Sequence, residues 1–414
     1  MRAALTQVHR YAGLVIAVFL IIAGLTGSLL AWYSELDAWI NPDVMTVQAP
    51  PGQAQPLSPF ELRQRLEAEL PFAVVNWLEL KPRLPNGSLS FYIDAKSPDP
   101  TVTSENVNVE LTFDEVFVDP YTGIILGTRK WGDISQGLIN LMPFVYRLHY
   151  SLALGDIGVW IFGVVALIWT LDCFVSIYLT FPARKHRAGS DKSLRNWLSR
   201  WKAAWQVRWH GGSYKVNFDL HRAGGLWPWV LLLILAWSSV AFNLYDEVYR
   251  PVSGTFLSFQ ERPLTVLPDR KPERATPDLG WQAGYEQALR HLHEQADFQG
   301  FEVLFAERMS YHPQKNAFRL MARSDRDINN KYAQTEICID ATTGALLGLR
   351  LPIGAASGDT LTTWITTLHM AHIWGTPFRI VITLSGIVIV VLSVTGIVIW
   401  WRKRSARRRS ALRR

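Results

Sequence analysis

Four long apolar runs constrain this chain more than any other feature of its sequence. Each is about long enough, at a helical rise of about 1.5 Å per residue, to cross a hydrocarbon core of about 30 Å. Trp and Tyr collect near their ends, as expected of residues that anchor a helix at the membrane interface. We therefore expect four transmembrane helices, in the runs from Leu14 to Trp32, Ile157 to Phe181, Gly224 to Leu244 and Phe378 to Trp401.

The first apolar run follows a short basic start, which is also how a cleaved signal peptide begins. No clear small-residue cleavage site follows the run, and its length, about 20 residues, suits a full span. We expect it to be a permanent anchor.

Lys and Arg collect in three places: near Arg2 and Arg10, between Arg184 and Arg222, and after Arg402. By the positive-inside rule, both termini and the middle loop are expected to be cytoplasmic. These flanks also account for the net charge of +7, so we expect a lipid bilayer as partner, with the basic tail held to anionic lipid, and no nucleic acid.

The two cysteines are Cys173, inside the second apolar run, and Cys338, far outside it in sequence. Their different expected depths argue against a disulfide between them. The chain contains no C-x-x-C and no C-x-x-C-H sequence, which argues against a structural zinc site and a covalently attached haem.

One unit of sequence occurs twice. A pattern of five residues before and within the first apolar run recurs in the same order and spacing before and within the third. The first copy comprises His9, Arg10, Gly13, Tyr33 and Glu35, and the second comprises His221, Arg222, Gly225, Tyr245 and Glu247.

The segments between paired runs repeat as well. Each is expected to open with a helix, after Ser58 as a capping box and after Thr276, and to end with a glycine-turn hairpin. Strands are expected at Val74 to Leu80, Ser88 to Asp94 and Glu115 to Asp119, with counterparts at Phe301 to Phe305, Ala317 to Ala322 and Thr335 to Asp340. The hairpins are Asp119 to Arg129 and Asp340 to Arg350, and Leu148-His149 and Leu368-His369 follow them.

These motifs resemble the PepSY-associated transmembrane family, which includes iron-regulated inner-membrane proteins and FoxB-type siderophore-iron reductases. The resemblance rests on the H-R-x-x-G starts, Thr26-Gly27, the D-x-x-T-G hairpins and the Leu-His pairs, and it covers nearly the whole chain. The third run departs from it with Ser238-Ser239 in place of Thr-Gly, and the second run lacks the Thr395-Gly396 of the fourth. We expect neither departure to touch a functional residue.

The fold class expected is an α+β membrane protein with four transmembrane helices, as two pseudo-repeated pairs, and two external PepSY-like α+β domains. The two domains could join into one substructure. The resemblance implies a bacterial inner membrane with both large segments periplasmic. The expected organisation is a transmembrane segment at 1–36, a periplasmic domain at 37–142, a second transmembrane segment at 143–182, a basic loop at 183–220, a third transmembrane segment at 221–246, a second periplasmic domain at 247–362, a fourth transmembrane segment at 363–401 and a basic tail at 402–414.

Histidines on facing helices are candidate ligands for haem b, which needs axial imidazoles and nearby cations for its propionates. On straight helices, His9 and His221 lie about 36 Å from Tyr33 and Tyr245, which puts both at the cytoplasmic edge. We expect them to share one haem, with Arg10 and Arg222 near its carboxylates. The alternative is that they are polar flanks duplicated with the repeat.

His149 and His369 are the expected ligands of a second haem, and His372 is a further candidate because a helix would place it one turn from His369. A straight helix from His149 through the second run would be about 48 Å long, too long for the bilayer core. Breaks are therefore expected at Gly155 to Gly158 and Gly375 to Pro377. Arg147 and Arg379 are expected near the propionates of this haem.

The remaining histidines, His186, His210, His291, His293 and His312, are given no role. Asp172 is the acidic residue well inside a run, and its charge is costly to bury. It is expected to be protonated or hydrogen-bonded to a hydroxyl such as that of Ser176, with a proton or quinol role as the alternative.

The external segments contain no recognisable catalytic triad, and the chain has no G-x-G-x-x-G for a nicotinamide or flavin. Electrons must therefore come from elsewhere, from a quinol or a cytoplasmic reductase. The resemblance suggests that they pass to ferric siderophore iron on the periplasmic side and release Fe(II). Three tryptophans of the external segments either line a docking face or pack within the protein: Trp77, Trp131 and Trp281.

Two other functions remain open from the sequence. PepSY proteins are associated with the regulation of peptidases, so the chain could be a cofactor-free regulator of a periplasmic peptidase. A transporter is a third possibility, with Asp172 on the path.

Overall fold

The computed structural model describes residues 1–52, 55–96, 111–182, 194–270 and 276–412. His186 and the first part of the expected basic loop lie outside these ranges. The α-helices, in chain order, are α1 (Arg2–Leu30), α2 (Tyr33–Ile40), α3 (Pro42–Met45), α4 (Pro59–Glu69), α5 (Leu141–Ser151), α6 (Gly155–Thr180), α7 (Leu194–Lys202), α8 (Ser213–Leu226), α9 (Trp229–Asn243), α10 (Arg250–Gly254), α11 (Pro263–Val266), α12 (Trp281–Gln299), α13 (Ser357–His369) and α14 (Gly375–Leu412). The strands are β1 (Ala73–Glu79), β2 (Leu89–Ala95), β3 (Glu115–Val118), β4 (Ile125–Arg129), β5 (Val303–His312), β6 (Ala317–Ser324), β7 (Thr335–Asp340) and β8 (Leu346–Arg350).

The chain forms two compact units, and each takes residues from both copies of the repeat. A helical unit comprises Met1–Ala31, Val145–Val252 and Leu368–Arg414. A sheet unit comprises Trp32–Phe144 and Ser253–Thr367.

Three helices of the helical unit, α1, α6 and α14, are long and apolar enough to cross a membrane. Helices α8 and α9 pass the same test only as a pair, and they bend by 68° at the break between them. The structure therefore has three candidate spans, or four if the bent pair is one span. The sequence predicts a straight third helix, and this prediction is wrong. Pro228 interrupts the backbone hydrogen bonding at the break, because proline has no N–H to donate.

Helices α1 and α14 approach each other through small residues. A Cβ placed on Gly24 would lie 2.6 Å from the carbonyl oxygen of Gly386, so any side chain there would collide with backbone. The Ser28 hydroxyl donates to the carbonyl of Thr383 across the same contact, at 2.9 Å. Close packing of small residues of this kind is how helices associate within lipid.

The helices are broken before the second and fourth runs, as predicted, but each break lies just before the predicted stretch, at 152–154 and 370–374. Helix α5 ends at Ser151 before α6 begins at Gly155, and α13 ends at His369 before α14 begins at Gly375. Left-handed backbone turns the chain at both breaks, with a φ of 60° at Gly155 and 65° at Gly375. His149 and His369 therefore lie on short helices that precede the spans, as expected.

The eight strands form one antiparallel sheet in the order β4-β3-β2-β1-β5-β6-β7-β8. Each copy of the repeat supplies four strands, and β1 pairs with β5 in the middle, with Leu78 opposite Met309. The two external segments therefore do not form separate domains. They join into one sheet, which is the other arrangement that the sequence allowed. Helices α4 and α12 pack on one face, over a core that includes Leu62, Phe91, Leu292 and Phe318.

The predicted strands are confirmed to within about two residues, except that β5 continues to His312. Both hairpins are also confirmed: a carboxylate oxygen of Asp119 accepts from the backbone N–H of Tyr121, and Asp340 does the same for Thr342. Two helix starts differ. Ser58 precedes α4 without a capping side-chain hydrogen bond, and the second helix begins at Trp281 rather than after Thr276. Both cysteines are free, as predicted.

Candidate functional site: two histidine pairs

The first histidine pair consists of His9 on α1 and His221 on α8. Their ring centroids lie 6.0 Å apart, and the ring planes are inclined by 50°. The two residues meet even though the bend between α8 and α9 was not predicted, because His221 lies before it.

His9 is held by a carboxylate. Its Nδ1 lies 2.9 Å from both carboxylate oxygens of Asp172 on α6, and the Asp172 side chain is only 11% exposed. The predicted bond from Asp172 to Ser176 is wrong, because the Ser176 hydroxyl donates to the carbonyl of Cys173 on its own helix.

His221 is held by α14. Its Nδ1 lies 3.0 Å from the carbonyl oxygen of Leu392 and 3.1 Å from the hydroxyl of Thr395. The next residue, Gly396, leaves room for the ring, since a Cβ there would lie 3.1 Å from Cε1 of His221.

The second histidine pair consists of His149 on α5 and His369 on α13, with ring centroids 6.2 Å apart and planes inclined by 74°. Nδ1 of His149 lies 2.9 Å from the Thr26 hydroxyl on α1. A Cβ on the adjacent Gly27 would lie 3.0 Å from Cε1 of the same ring. Each Thr-Gly sequence thus supplies a hydroxyl to a histidine and space for its ring.

Ser238 on α9 holds the last histidine. Its hydroxyl lies 2.7 Å from Nδ1 of His369, in the position that Thr26 occupies in the first copy of the repeat. The expectation that Ser238-Ser239 touches no functional residue is therefore wrong. The second run lacks the Thr-Gly sequence of the fourth run, but a different residue holds its histidine. Asp172, about one turn before the position equivalent to Thr395, contacts Nδ1 of His9.

The hydrogen bonds assign the same tautomer to all four rings. Thr26, Ser238 and Thr395 each donate their hydroxyl proton to a carbonyl of their own helix, at 2.6, 2.7 and 2.7 Å. Their oxygens must then accept from the histidines, and the Asp172 carboxylate also accepts. The proton therefore resides on Nδ1, and Nε2 keeps the lone pair that binds a metal.

The separation within each pair fits two imidazoles on opposite sides of one iron. Metal-bound imidazole nitrogens lie about 2 Å from the metal, so two of them lie about 4 Å apart and their ring centroids about 6 Å apart. The two pairs, at 6.0 and 6.2 Å, meet this requirement.

A cavity of about 380 Å³ borders the first pair, a size typical of ligand sites. Trp169, Trp229 and Trp400 form part of its apolar wall, and its cations are Arg2, Arg10, Arg222 and Lys403. The sequence predicts Arg10 and Arg222 at this site. It indicates Arg2 and Lys403 only as basic residues that flank the spans. Arg2 is two helical turns before His9, a spacing that could have indicated the shared face.

Arg222 is more constrained than expected. One of its terminal nitrogens donates to the carbonyl of Ala203 at 2.9 Å and pairs with the Asp219 carboxylate at 2.9 Å. Arg379 is likewise engaged, because its Nε donates to the carbonyl of Ala31 at 2.7 Å. Arg147 lies two residues before His149 on α5, and its assignment to a propionate stays a prediction.

His372 does not share a helical face with His369. Helix α13 ends at His369, and His372 lies in the break before α14. The ring opposite His149 is that of His369, so the structure favours His369 over His372 at this pair.

Two of the histidines given no role have other partners. His291 contacts the Glu294 carboxylate and the carbonyl of Gly344, and His312 contacts the hydroxyl of Ser310. Within the described ranges, no group of three or more His, Cys, Asp or Glu residues could hold a metal ion.

The chain combines a helical unit, which holds two pairs of oriented histidines, with one antiparallel sheet. This combination defines a membrane protein with candidate cofactor sites. The family model for the PepSY-associated transmembrane region matches residues 6–403, so this chain belongs to the PepSY-associated transmembrane family. A search among curated proteins found no significant match.

Proposed function

We propose that this protein carries single electrons across the bacterial inner membrane, with one haem b held by each histidine pair. The observation that carries the proposal is the common arrangement of four imidazoles. They meet in two pairs at the separation that one iron requires, and every Nδ1 is occupied by a hydrogen-bond acceptor.

Bound at these positions, haem b supplies a one-electron centre. The residues around it have separate tasks. His9 and His221 would hold one haem through Nε2, and His149 and His369 would hold the other. Four further residues fix the orientation of the rings: Asp172, Thr26, Thr395 and Ser238. A haem held by two histidines would serve electron transfer rather than the binding of a small molecule.

The topology proposed has four spans, with the bent pair α8 and α9 counted as one. Arg and Lys near the start of α1, around α7 and at the end of α14 support a cytoplasmic position for both termini and the middle loop. The first pair, whose cavity has four of these cations, then lies toward the cytoplasm. The second pair then lies toward the periplasm, and the two segments between the paired spans are periplasmic.

The proposed acceptor is ferric iron in a siderophore on the periplasmic side, and the proposed donor is a quinol or a cytoplasmic reductase. Each ferric ion accepts one electron from the protein, and the donor supplies that electron to the protein. The resulting Fe(II) is held less tightly by oxygen ligands and is released. The family resemblance supports this acceptor.

A cofactor-free regulator of a periplasmic peptidase is the competing function. It provides no reason for Nδ1 of all four paired histidines to be held by a hydrogen-bond acceptor. The two functions are separated by colour, since only a haem protein absorbs visible light.

The test is a reduced-minus-oxidised absorption spectrum of the detergent-purified protein, with the haem quantified as the pyridine haemochrome. We expect b-type bands and about two haems per chain. His9→Ala and His221→Ala should lose one and the same component, and His149→Ala and His369→Ala the other. His291→Ala and His372→Ala are the matched controls and should keep both. A colourless protein after haem supplementation would refute the proposal.

A further inference from the structure

The face of the sheet opposite α4 and α12 has two arginines that take part in no ion pair within the described part of the chain. Glu79 lies opposite one of them in the register, but its carboxylate pairs with Arg83. Five arginines lie in the strands, and three of them pair with carboxylates: Arg129 with Glu115, Arg323 with Glu307, and Arg350 with Glu336 and Asp359. The other two are Arg308 on β5 and Arg319 on β6. Neither forms an ion pair with any described residue.

Strand register places these two arginines on the same face. Leu78, Met309 and Leu320 point into the core under the helices, so the residues next to them point the other way. Trp77 is opposite Ser310, and Ser310 is opposite Arg319. Arg308 is two residues before Ser310 on β5 and shares its side of the sheet.

Both guanidinium groups lie against the ring of Trp77. The Cζ atoms of Arg308 and Arg319 are 5.2 and 5.6 Å from the ring centroid, and Tyr332 lies 5.8 Å from Arg308. All four side chains are partly exposed. The hydrogen bonds of the two arginines are weak: Arg308 donates to the carbonyl of Ala333 at 3.4 Å and Arg319 to the hydroxyl of Ser310 at 3.3 Å.

The Nε–H of Arg308 is buried and has no hydrogen-bond partner within the described ranges. A guanidinium group has five donors in a planar fork, and it forms its strongest hydrogen bonds with anionic oxygens. The protein contacts of Arg308 therefore leave part of its capacity for hydrogen bonds unused.

We propose that Trp77, Arg308, Arg319 and Tyr332 form a binding site for an anionic ferric chelate with aromatic donor groups, such as a tris-catecholate. The arginines neutralise its negative charge, and Trp77 and Tyr332 contact its rings. This inference rests on the proposed function, because it names the class of chelate that would be reduced. It excludes a neutral tris-hydroxamate chelate as the preferred ligand.

Trp77 comes from the first copy of the repeat and the other three residues from the second. The site exists only because β1 and β5 pair in one sheet, so it could not form in two separate domains.

The test uses gallium chelates, because gallium(III) copies the shape and charge of ferric iron but is not reduced. Binding is measured by calorimetry on the full-length protein in nanodiscs, with a trianionic gallium tris-catecholate and a neutral gallium tris-hydroxamate. The trianionic chelate should bind more tightly by about tenfold or more. Its affinity should fall as salt rises.

The decisive variant is the double substitution Arg308→Gln with Arg319→Gln, which should weaken the trianionic chelate by about tenfold or more. Arg308→Lys with Arg319→Lys keeps the charge and should recover part of the affinity. Arg323→Gln, on the same strand as Arg319 but ion-paired, is the matched control and should bind as the parent does. Circular dichroism of each variant checks that the sheet is retained.

Equal binding of both chelates, or binding that the double variant leaves unchanged, would overturn the inference. Failure of both chelates to bind would also overturn the inference. None of these results would affect the haem spectrum, so the proposed function is judged separately.

Discussion

Nδ1 of His9 lies 2.9 Å from the carboxylate of Asp172, whereas the Nδ1 atoms of the other three paired histidines bond to neutral oxygens. A carboxylate raises the basicity of a ligand imidazole and stabilises the oxidised metal. In the proposed haem protein, the haem at the first pair is therefore expected to have a lower midpoint potential than the haem at the second. In the proposed orientation, this difference drives electrons toward the periplasm.

Asp172→Asn should raise the midpoint potential of the first haem by about 60 mV, which corresponds to about tenfold in the equilibrium constant for one electron. The second haem should be unaffected. Spectroelectrochemical titration resolves the two. Ser176→Ala, one turn away on α6, is the control. Unchanged potentials in the Asp172→Asn protein would show that this carboxylate does not tune the site.

Gly27→Val should remove the second haem selectively, because a Cβ at Gly27 would already lie 3.0 Å from the ring of His149. The haem content should fall from about two to about one per chain. Leu25→Val is the control on the same helix, because Leu25 is exposed on the surface of the helical unit and does not line the cavity. Retention of both haems in Gly27→Val would contradict the packing argument.

Ser238→Ala should weaken haem binding at the second pair by about 10- to 100-fold, the usual range for the loss of a bond that orients a ligand. Ser238→Thr keeps the hydroxyl and should behave as the parent. Ser239→Ala is the adjacent control, because its hydroxyl bonds to the carbonyl of Leu235 within the helix. The measurement is haem transfer to an apo-globin acceptor, and equal rates for the two Ala variants would count against the assigned role.

Arg129→Ala should destabilise the sheet unit by about 3–5 kcal/mol, because it leaves the buried carboxylates of Asp37 and Glu115 without their partner. Burial raises the pKa of Asp37, and the positive charge of Arg129 acts against that increase. Arg65→Ala breaks only an exposed pair with Glu61 and should cost about 0–1 kcal/mol. Hydrogen exchange across β3 and β4 compares them, and similar protection in both variants would contradict the prediction.

His312 should make the sheet unit less stable in acid. Burial, and then the charge of Arg319, lowers its pKa to about 4, below its value of about 6.5 in an unfolded chain. The unfolded state therefore binds the proton more readily, and the stability present above about pH 6.5 is lost as the pH falls toward 4. His312→Gln should reduce this loss, as measured by hydrogen exchange in β5 and β6. An identical pH dependence in the variant would exclude His312 as its source.

The sequence by itself determined the apolar runs, the strands and which histidines meet. The repeat places His9 and His221 at equal positions in two copies of one unit, and His149 and His369 likewise, so each pair could be predicted from spacing alone. The strands followed from alternation and from glycine turns, which depend on neighbouring residues.

Only the tertiary structure decided what holds each histidine and how the two copies join. The partners of His9 and His149 are Asp172 and Thr26, and the rotation of separate helices about their axes places them there. No local pattern specifies that rotation, since it depends on how the helices of the helical unit pack together. The pairing of β1 with β5 is equally non-local: both strands have a free edge in their own copy of the repeat, and the pairing removes the two exposed edges at once.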